Sequence, residues 1–386
     1  MRNLPLKLEK SLQNRKQENA FRSLNPPGGA VDFSSNDYLG FARNAIIFER
    51  ANDLLRENDL PRNGATGSRL LSGNHKLYKS AEDFLANFHN SDAALIFNSG
   101  FDANTGFFSS VPGRGDLIFF DELAHASIRE GISLSHAKSF KFRHNDLEDL
   151  KKKIDLQQKK FPEADVFIVT ESVFSMDGDS PDLKSLAKFS SEAGCFLIID
   201  EAHATGVFGH HGQGLVQELG IEEQVFARIY TFGKGLGCHG AAILGPSELR
   251  DFLINFSRSF IYTTALPPHS VATILAALKF LNTPEGASEI TQLQRNIGHF
   301  RAEIGQNGLQ PKFIESESAI HCCVVPGNQK VKELAAFLGT KGFEVRPILS
   351  PTVPKGSERL RFCLHSFNSA AEISEVLKVL GNFVQP

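Results

Sequence analysis

The stretch CFLIIDEAHATG (residues 195–206) places a short apolar run directly before a dense group of polar residues. A run of this length that follows a glycine and ends in charged residues is typical of a buried β-strand leading into a turn. The stretch therefore predicts a strand that delivers Asp200, Glu201 and His203 to one edge of a sheet.

Five other segments repeat this form of an apolar run followed by polar residues. They are AALIFNSG (93–100), DLIFFDE (116–122), SFKFRH (139–144), DVFIVTES (165–172) and ARIYTFGK (227–234). Most are separated by segments with helical periodicity, such as DLEDLKKKIDLQQKK (146–160). Apolar runs that alternate with helices predict an α/β fold, in which helices cover both faces of a mostly parallel sheet.

Breaks in this pattern divide the chain into segments. NPPGGAV (25–31) ends an amphipathic helix, and FSSNDYLGF (33–41) is expected to form a short strand and a turn. TPEGASE (283–289) is expected to end the run of alternating elements. The predicted segments are 1–42 (N-terminal helix and arm), 43–284 (large cofactor-binding domain) and 285–386 (smaller α+β domain).

The overall composition argues against nucleic-acid and membrane partners. The net charge is −3 and the pI is about 6.5, so there is no excess of positive charge for phosphate backbones or anionic lipids. No apolar run approaches the ~20 residues that span a bilayer, and the N-terminus has no signal-peptide pattern. Five cysteines without a C-x-x-C pair are typical of a protein in the reducing cytoplasm.

Polar residues follow the predicted parallel strands, and in an open α/β sheet ligands bind outside these carboxyl ends. Five successive sets at one edge of the sheet predict a single active site. The residues delivered in this way are Asn98, Ser99, Gly100 and Phe101; Asp121 and His125; Glu171 and Ser175; Asp200 and His203; and Thr231 and Lys234.

A lysine, a carboxylate, imidazoles and phosphate donors together are what pyridoxal 5′-phosphate requires. Its aldehyde forms a Schiff base with a lysine, here Lys234, and a carboxylate such as Asp200 keeps the pyridine nitrogen protonated. The lysine reacts only as the uncharged amine, which a neighbouring cofactor cation and partial desolvation favour. Small residues with accessible N–H groups hold the phosphate at a helix N-terminus.

Three motifs suggest other functions. Asp-Glu-Ala-His (200–203) occurs in nucleotide-driven motors, but the chain lacks the G-x-x-x-x-G-K-[ST] partner that such motors need. GLGCHG (235–240) matches the dinucleotide-binding pattern G-x-G-x-x-G, which is frequent by chance and lies late in this chain. His203, His210 and His211 lack a cysteine or carboxylate at ligand spacing. Nucleotide binding is therefore a distant alternative, and no metal is expected.

Over residues 17–383, the chain resembles the α-oxoamine synthases, a family within the fold type I pyridoxal-phosphate enzymes. The resemblance implies a large domain with a mostly parallel sheet, a smaller α+β domain, and a homodimer with its active sites at the interface. The motifs that carry it are FSSNDYLG (33–40), NSGFDANTG (98–106), ELAHASIREG (122–131), ESVFSMDGD (171–179), IDEAHATGV (199–207), TFGKGLGCHGAA (231–242), IYTTALPP (261–268) and TVPKGSERLRF (352–362).

The resemblance implies a catalytic role for four residues. Lys234 carries the cofactor as a Schiff base and, once released, removes the Cα proton of the amino acid as general base. Asp200 faces the pyridine nitrogen, and His203 contacts the O3′ region of the ring. His125 stacks on the ring and also polarises the thioester carbonyl.

Further residues are implied to bind the cofactor through its phosphate and oxygens. Ser175 and Thr231 lie near these groups, and Gly100 and Phe101 help to hold the phosphate. Thr263 or Thr264 reaches the phosphate from the partner subunit.

The amino-acid and acyl substrates have their own implied contacts. Arg361 holds the carboxylate of the amino acid, a task that suits the planar guanidinium group. Asn36 and Thr352 line the same site. Arg22 and Arg346 are alternatives for the terminal carboxylate of a dicarboxylic acyl chain.

GKGLGCHGAAILG (233–245) and IYTTALPP (261–268) most resemble the family branch that joins L-alanine to a pimeloyl thioester in biotin biosynthesis. That reaction is a decarboxylative condensation that gives 8-amino-7-oxononanoate, the free carrier and CO2. The carrier, CoA or acyl carrier protein, stays open. A glycine C-acetyltransferase, or another acyl-CoA:amino acid C-acyltransferase of the family, is the alternative.

Two segments depart from the family pattern. VRPILSPTVP (345–354) is about two residues longer than its family counterpart, which affects the alignment of Arg346 and, to a smaller extent, Thr352. His-Ser-Phe-Asn (365–368) places Asn368 where the family has a histidine, so no role is carried over to Asn368.

Overall fold

A computed structural model describes residues 4–24 and 28–384, so the start of the predicted break at 25–31 lies outside the described residues. The strands are β1 (Val31–Asp32), β2 (Ala93–Phe97), β3 (Leu117–Asp121), β4 (Lys138–Phe142), β5 (Val166–Glu171), β6 (Phe196–Asp200), β7 (Ala227–Thr231), β8 (Ala241–Gly245), β9 (Ile320–Val324), β10 (Phe343–Glu344), β11 (Arg346–Ile348) and β12 (Arg359–Cys363). The helices are α1 (Leu6–Gln17), α2 (Ala45–Glu57), α3 (Lys76–Phe88), α4 (Gly100–Ser110), α5 (Ala126–Leu134), α6 (Leu147–Gln158), α7 (Leu183–Glu192), α8 (Leu215–Leu219), α9 (Ser247–Phe256), α10 (Arg258–Ile261), α11 (Pro268–Leu281), α12 (Pro284–Gln306), α13 (Asn328–Thr340) and α14 (Ala370–Val384).

The chain forms two compact units. The larger unit contains residues 36–175 and 180–292, and the smaller unit groups 1–35 and 176–179 with 293–386. This grouping differs from the three predicted segments, because residues 1–35 pack with the C-terminal residues. The reason is backbone pairing: β1 pairs in parallel with β10, and the N–H of Cys363 donates to the carbonyl of Phe33 over 2.9 Å.

The larger unit is built on a seven-stranded sheet with the strand order β2-β8-β7-β6-β5-β3-β4. Strand β8 runs antiparallel to both of its neighbours, and the other neighbouring strands pair in parallel. The apolar runs that predicted strands are buried along their length in β2, β5 and β7, as expected for a sheet covered on both faces. The predicted α/β fold with a mostly parallel sheet is confirmed.

The antiparallel direction of β8 decides whether the motif GLGCHG (235–240) can be a dinucleotide-binding site. A dinucleotide-binding motif lies between a strand and a helix, with a parallel strand to follow. Here the motif forms the turn between β7 and the antiparallel β8. The local structure therefore does not match a dinucleotide-binding site.

The smaller unit carries an antiparallel sheet with the strand order β11-β12-β9. Strand β12 is buried along its length, although its alternation of arginine with apolar residues is the pattern of a half-buried strand. Segment 176–179 belongs to this unit, where the guanidinium of Arg359 forms a short ion pair with Asp177 and donates to the carbonyl of Met176 over 3.1 Å.

Two local predictions were wrong. The segment 283–289 does not break the chain but starts α12, because Pro284 is tolerated in the first turn and the Thr283 hydroxyl accepts from the N–H of Gly286 over 3.2 Å. FSSNDYLGF (33–41) contains the predicted turn, at residues 38–39, but not the predicted strand, because β1 ends at Asp32. A carboxylate oxygen of Asp32 accepts from the N–H groups of Ser34 and Ser35, over 2.7 and 2.9 Å, and turns the chain there.

Among the described residues, no helix is both long and apolar enough to cross a membrane.

Candidate active site

A cavity of about 260 Å³ opens in the larger unit beyond the carboxyl ends of its parallel strands. It brings together residues from the loops after β2, β3, β5, β6 and β7, as the strand-end argument requires. The predicted site residues that line it are Asn36, Gly100, Phe101, His125, Asp200, Thr231 and Lys234.

Lys234 lies in the turn after β7, and its amine is in contact with His203. The distance from Lys234 Nζ to His203 Nε2 is 2.7 Å, and the hydroxyl of Tyr38 lies 2.7 Å from His203 Nδ1. A charged lysine can only donate to Nε2, which places the ring proton on Nδ1, whereas an uncharged lysine can accept from a protonated Nε2. The imidazole therefore joins the amine to a second polar group and can take up or return a proton.

Asp200 is the last residue of β6 and is 4 % exposed. One of its carboxylate oxygens accepts from the side-chain amide of Asn104 over 2.9 Å, and the other accepts from the N–H of Ala202 over 2.9 Å. These two bonds fix the plane of the carboxylate, which lines the cavity.

His125 precedes α5 and acts as its N-cap. Its Nδ1 accepts from the N–H of Ser127 over 3.2 Å, so Nδ1 carries no proton and a neutral ring is protonated at Nε2. Burial is the main cause that lowers the pKa of His125, and the charge of Lys234 also lowers it, while Asp200 acts in the opposite direction. A flat, neutral ring at the cavity wall suits stacking on an aromatic cofactor.

The opposite end of the cavity has the features of a phosphate site. Helix α4 begins at Gly100, its cap Ser99 accepts from the N–H of Asp102 over 3.1 Å, and Gly100 and Phe101 line the cavity. The first N–H groups of a helix have no partner within the helix and attract anions. Within the described residues, the buried hydroxyl of Thr231 has no hydrogen-bond partner. These donors fit the phosphate of pyridoxal phosphate.

Gly100 also allows the close approach of Thr231 at this end. A side-chain Cβ added at Gly100 would collide with the Thr231 methyl group. A glycine at the start of α4 therefore keeps room for both the helix N-terminus and the threonine side chain.

Four predicted cofactor residues are not among those that line the cavity in the described chain: His203, which contacts Lys234 from behind the lining, and Ser175, Thr263 and Thr264. Ser175 is half-buried, and it lies where the chain leaves the larger unit. The side-chain amide of Asn98 donates to the Thr263 hydroxyl over 3.2 Å and to the Thr264 carbonyl over 2.6 Å, and Thr264 is exposed. The prediction that Thr263 or Thr264 serves a partner subunit stays a prediction.

Arg361, Arg346, Thr352 and Arg22 all lie in the smaller unit. Arg361 is 5 % exposed, and one of its guanidinium nitrogens lies 2.9 Å from the sulfur of Cys363. Arg346 pairs across the sheet with Arg361 and forms an ion pair with Glu344 over 3.0 Å. Arg22 donates to the hydroxyl of Thr352 over 3.3 Å. The contact between Arg22 and Thr352 joins two predicted substrate residues.

Asn368, which replaces the family histidine, has a structural role in the smaller unit. Its amide oxygen accepts from the N–H of His365 over 2.9 Å, and its amide nitrogen donates to the carbonyl of Asp32 over 3.1 Å.

Several residues at the cavity were not assigned a role from the sequence. Asn104 and Ser127 hold Asp200 and His125, Tyr38 holds His203, and Glu171 accepts from the backbone of His125 over 2.6 Å. A signal existed for Asn104, which lies one helical turn after Gly100 and so shares its helix face. The lining residues without an assigned role are Ser99, Asn104, Ser127, Glu171, Ala202, Gly233, His239 and Gly240.

Among the residues that the structure describes, no group of three or more histidine, cysteine, aspartate or glutamate residues could hold a metal ion. His210 and His211 contact each other over 3.1 Å in a loop.

The chain was compared with known protein families and with individual proteins. The model of the family "Aminotransferase class I and II" matches residues 29–380. The chain is 40 % identical, over 396 aligned residues, to an 8-amino-7-oxononanoate synthase of Emericella nidulans, and the match covers 98 % of this chain and 95 % of the relative.

Solved structures give the same result. The 8-amino-7-oxononanoate synthase of Francisella tularensis matches with a TM-score of 0.76 and 30 % identity, over 92 % of this chain and 98 % of the other. A serine palmitoyltransferase of Sphingomonas wittichii matches with a TM-score of 0.84 and 29 % identity, over 92 % and 86 %. The chain therefore belongs to the aminotransferase class I and II family and, within it, to the 8-amino-7-oxononanoate synthases, which are pyridoxal-phosphate-dependent acyltransferases.

Proposed function

We propose that this enzyme condenses L-alanine with a pimeloyl thioester, of CoA or of acyl carrier protein, to give 8-amino-7-oxononanoate, the free carrier and CO2. The observation that carries the proposal is the 2.7 Å contact of Lys234 Nζ with His203, in a cavity that Asp200 and His125 also serve. Membership of the 8-amino-7-oxononanoate synthase family supports the substrate pair.

When bound, pyridoxal phosphate attaches the amino acid and takes up the electron pair left on Cα after the proton is removed. Asp200 would face the ring nitrogen, with its carboxylate held in plane by Asn104. His125 would stack on the ring, while Thr231 and the first N–H groups of α4 would hold the phosphate.

Lys234 moves the Cα proton. The amine of Lys234 must be uncharged to accept the Cα proton. When Lys234 starts as the ammonium, it can first donate a proton to His203 Nε2. Tyr38 orients the imidazole from the other side. After condensation, the same amine returns a proton to the product.

The carboxylate of alanine is proposed to bind Arg361, whose buried guanidinium suits a bidentate contact. Asn36 lines the cofactor cavity and is proposed to contact the same substrate. Arg22 and Arg346 stay alternatives for the terminal pimeloyl carboxylate. Both side chains are exposed, and each already has a partner, Thr352 for Arg22 and Glu344 for Arg346.

The direct test is an end-point assay with the purified, cofactor-loaded protein. L-alanine, glycine and L-serine are each combined with pimeloyl-CoA and with pimeloyl-acyl carrier protein, and the products are identified by mass. We expect 8-amino-7-oxononanoate from alanine only. The proposal is wrong if alanine gives no product with either carrier while another amino acid does.

A second candidate is an acyltransferase that uses serine and a long acyl chain. The similarity to the Sphingomonas wittichii serine palmitoyltransferase favours it, although the sequence relatives reach higher identity. Turnover of serine with palmitoyl-CoA in the same assay would establish this candidate.

A homodimer is proposed as the working form. In the larger unit, Leu71 is 84 % exposed and Tyr262 is 78 % exposed. Large apolar side chains that are this exposed are often covered by a partner subunit. Light scattering at micromolar concentration measures the assembly, and a monomer would contradict it. We also propose a cytoplasmic location, which the five cysteines support because they form no disulfide among the described residues.

A further inference from the structure

Glu171 is a buried acid in the cavity wall that the proposed reaction does not use. It is the last residue of β5, it is 3 % exposed, and it lines the same cavity as Asp200 and Lys234. A carboxyl group is rarely buried to this extent unless it is paired or uncharged.

Glu171 supports the ring of His125 through the backbone. One of its carboxyl oxygens accepts from the N–H of His125 over 2.6 Å. His125 in turn accepts at Nδ1 from the N–H of Ser127, at the start of α5. The position of the imidazole along the cavity wall therefore depends on the carboxyl group of Glu171.

Glu171 also lies next to Asp200. Strands β5 and β6 pair in register at these two residues, so their side chains lie on the same face of the sheet. Neighbouring strands are about 4.8 Å apart, too close for two carboxylates to be charged without a cost. The carboxylate of Asp200 accepts two hydrogen bonds that stabilise its charge, whereas that of Glu171 accepts one among the described residues, from the N–H of His125.

The charges around Glu171 come from four elements. Asp200 ends β6, Asp121 ends β3, Lys234 follows β7, and His125 precedes α5. Burial raises the pKa of Glu171 well above its usual value, and Asp200 raises it further, while Lys234 and the bond from His125 lower it less. The balance favours the protonated acid.

We propose that Glu171 is a positioning residue that works as the uncharged acid: it holds the backbone of His125 and leaves Asp200 as the single anion toward the cofactor ring. The role of His125 and Asp200 rests on the proposed function. The protonation of Glu171 does not, because it concerns the protein without cofactor.

The first experiment measures infrared spectra of the cofactor-free protein at neutral pH, for wild type and Glu171→Gln. The wild-type-minus-variant difference is expected to contain the carbonyl band of a protonated carboxyl group. A difference that contains only a carboxylate signal would overturn the proposal. Glu201→Gln is the control, because burial raises the pKa of Glu201 to about 7 and that residue adds a band of its own.

The second experiment separates positioning from simple packing. Glu171→Gln keeps an oxygen that accepts from the N–H of His125 and carries no charge, so its kcat is expected to stay within about threefold of wild type. Glu171→Met fills the space without an acceptor, and its kcat is expected to fall by about tenfold or more, with little change in the alanine KM. Thermal melts of both cofactor-free variants show whether the fold survives, and Glu171→Ala replaces the Met variant if it does not.

Equal losses in the Gln and Met variants, or no loss in either, would overturn the positioning role. If the wild type yields no product from alanine, the proposed function fails, while the infrared result on the cofactor-free protein still decides the state of Glu171.

Discussion

Asp200 and Glu201 are neighbours in the chain, yet their carboxylates serve opposite faces of the central sheet. Asp200 lines the cavity and is held by the side chain of Asn104. Glu201 points away from it and accepts from the N–H groups of Leu215 and Val216 at the start of α8, over 2.9 and 2.8 Å. Successive side chains of a strand point to opposite faces, so one dipeptide supplies both a chemical group and a structural anchor.

The surroundings of the two carboxylates explain the difference. On the cavity face, Asp200 lies within reach of a ligand-sized space and of the loop that carries Lys234. On the other face, Glu201 is fully buried, and its hydrogen-bond partners are the backbone N–H groups of Leu215 and Val216 and the side chain of Ser172. A position next to a predicted catalytic residue in the sequence is therefore not enough to predict that a charged residue is catalytic.

The largest effect is expected from a change on the cavity side of the sheet, at Lys234. Lys234→Ala removes the group that binds the cofactor covalently and moves the proton, so kcat is expected to fall by at least about a thousandfold. Steady-state rates with alanine and pimeloyl-CoA measure it. The control is Lys188→Ala on the exposed face of α7, which is expected to leave the rate unchanged. Substantial activity in the Lys234 variant would contradict the assignment.

The next prediction compares the two carboxylates directly. Asp200→Asn keeps the shape but removes the negative charge, so kcat is expected to fall about a hundredfold, because the ring nitrogen loses its counter-charge. Glu201→Gln is expected to keep kcat within about threefold and to lower the free energy of unfolding by about 1 kcal/mol, because one backbone N–H loses its acceptor. Rates and urea unfolding distinguish the two variants, and a reversed pattern would show that the faces have been assigned incorrectly.

A smaller effect is expected at the phosphate end of the cavity. Thr231→Val removes the buried hydroxyl at nearly constant volume, so the dissociation constant of pyridoxal phosphate is expected to rise by about tenfold. Titration of the cofactor-free protein, followed by visible absorbance, measures it. Thr231→Ser keeps the hydroxyl and should bind almost as well as wild type. If the Ser variant binds weakly while the Val variant binds like wild type, the methyl group and not the hydroxyl is responsible.

The smallest expected effect is the contribution of Glu201, on the face of the sheet away from the cavity, to the pH dependence of folding stability. The pKa of Glu201 rises from 4.5 in the unfolded chain to about 7 in the folded one, chiefly through burial. The folded state then binds a proton that the unfolded state has released, so this contribution to stability is present below pH 4.5 and is lost as the pH rises to about 7. Glu201→Gln should remove this slope, at most about 1.4 kcal/mol per pH unit.

The measurement must compare variant and wild type at each pH, because histidines act in the opposite direction. Burial lowers the pKa of His75 to about 4 and that of His321 to about 3, so their contribution to stability declines as the pH falls below 6.5. Asp251→Asn, at an exposed position, is the control. Identical pH slopes for wild type and the Glu201 variant would contradict a raised pKa at Glu201.

The sequence was sufficient for the central part of the fold. The apolar runs that end at Phe97, Asp121, Glu171, Asp200 and Thr231 all form strands of one sheet. Their ends could be placed together because parallel strands present their carboxyl ends at the same edge. The motifs around them also pointed to the family that the comparisons confirm.

Contacts between distant segments were not predictable in the same way. The antiparallel β8 resembles the parallel strands of the sheet in composition, and its direction relative to β7 depends on the turn at 235–240. The pairing of β1 with β10 joins residues more than 300 positions apart, so local patterns carry no sign of it.

By itself, the sequence determined most strands of the central sheet and the cofactor class, and it predicted the residues proposed to carry the chemistry, because periodicity and strand ends are local properties of the chain. Only the tertiary structure decided how those residues are held. Tyr38 beside His203, Asn104 beside Asp200 and Glu171 beneath His125 are partners brought together by the packing of separate elements. Such contacts depend on register and burial, which no single segment of the sequence encodes.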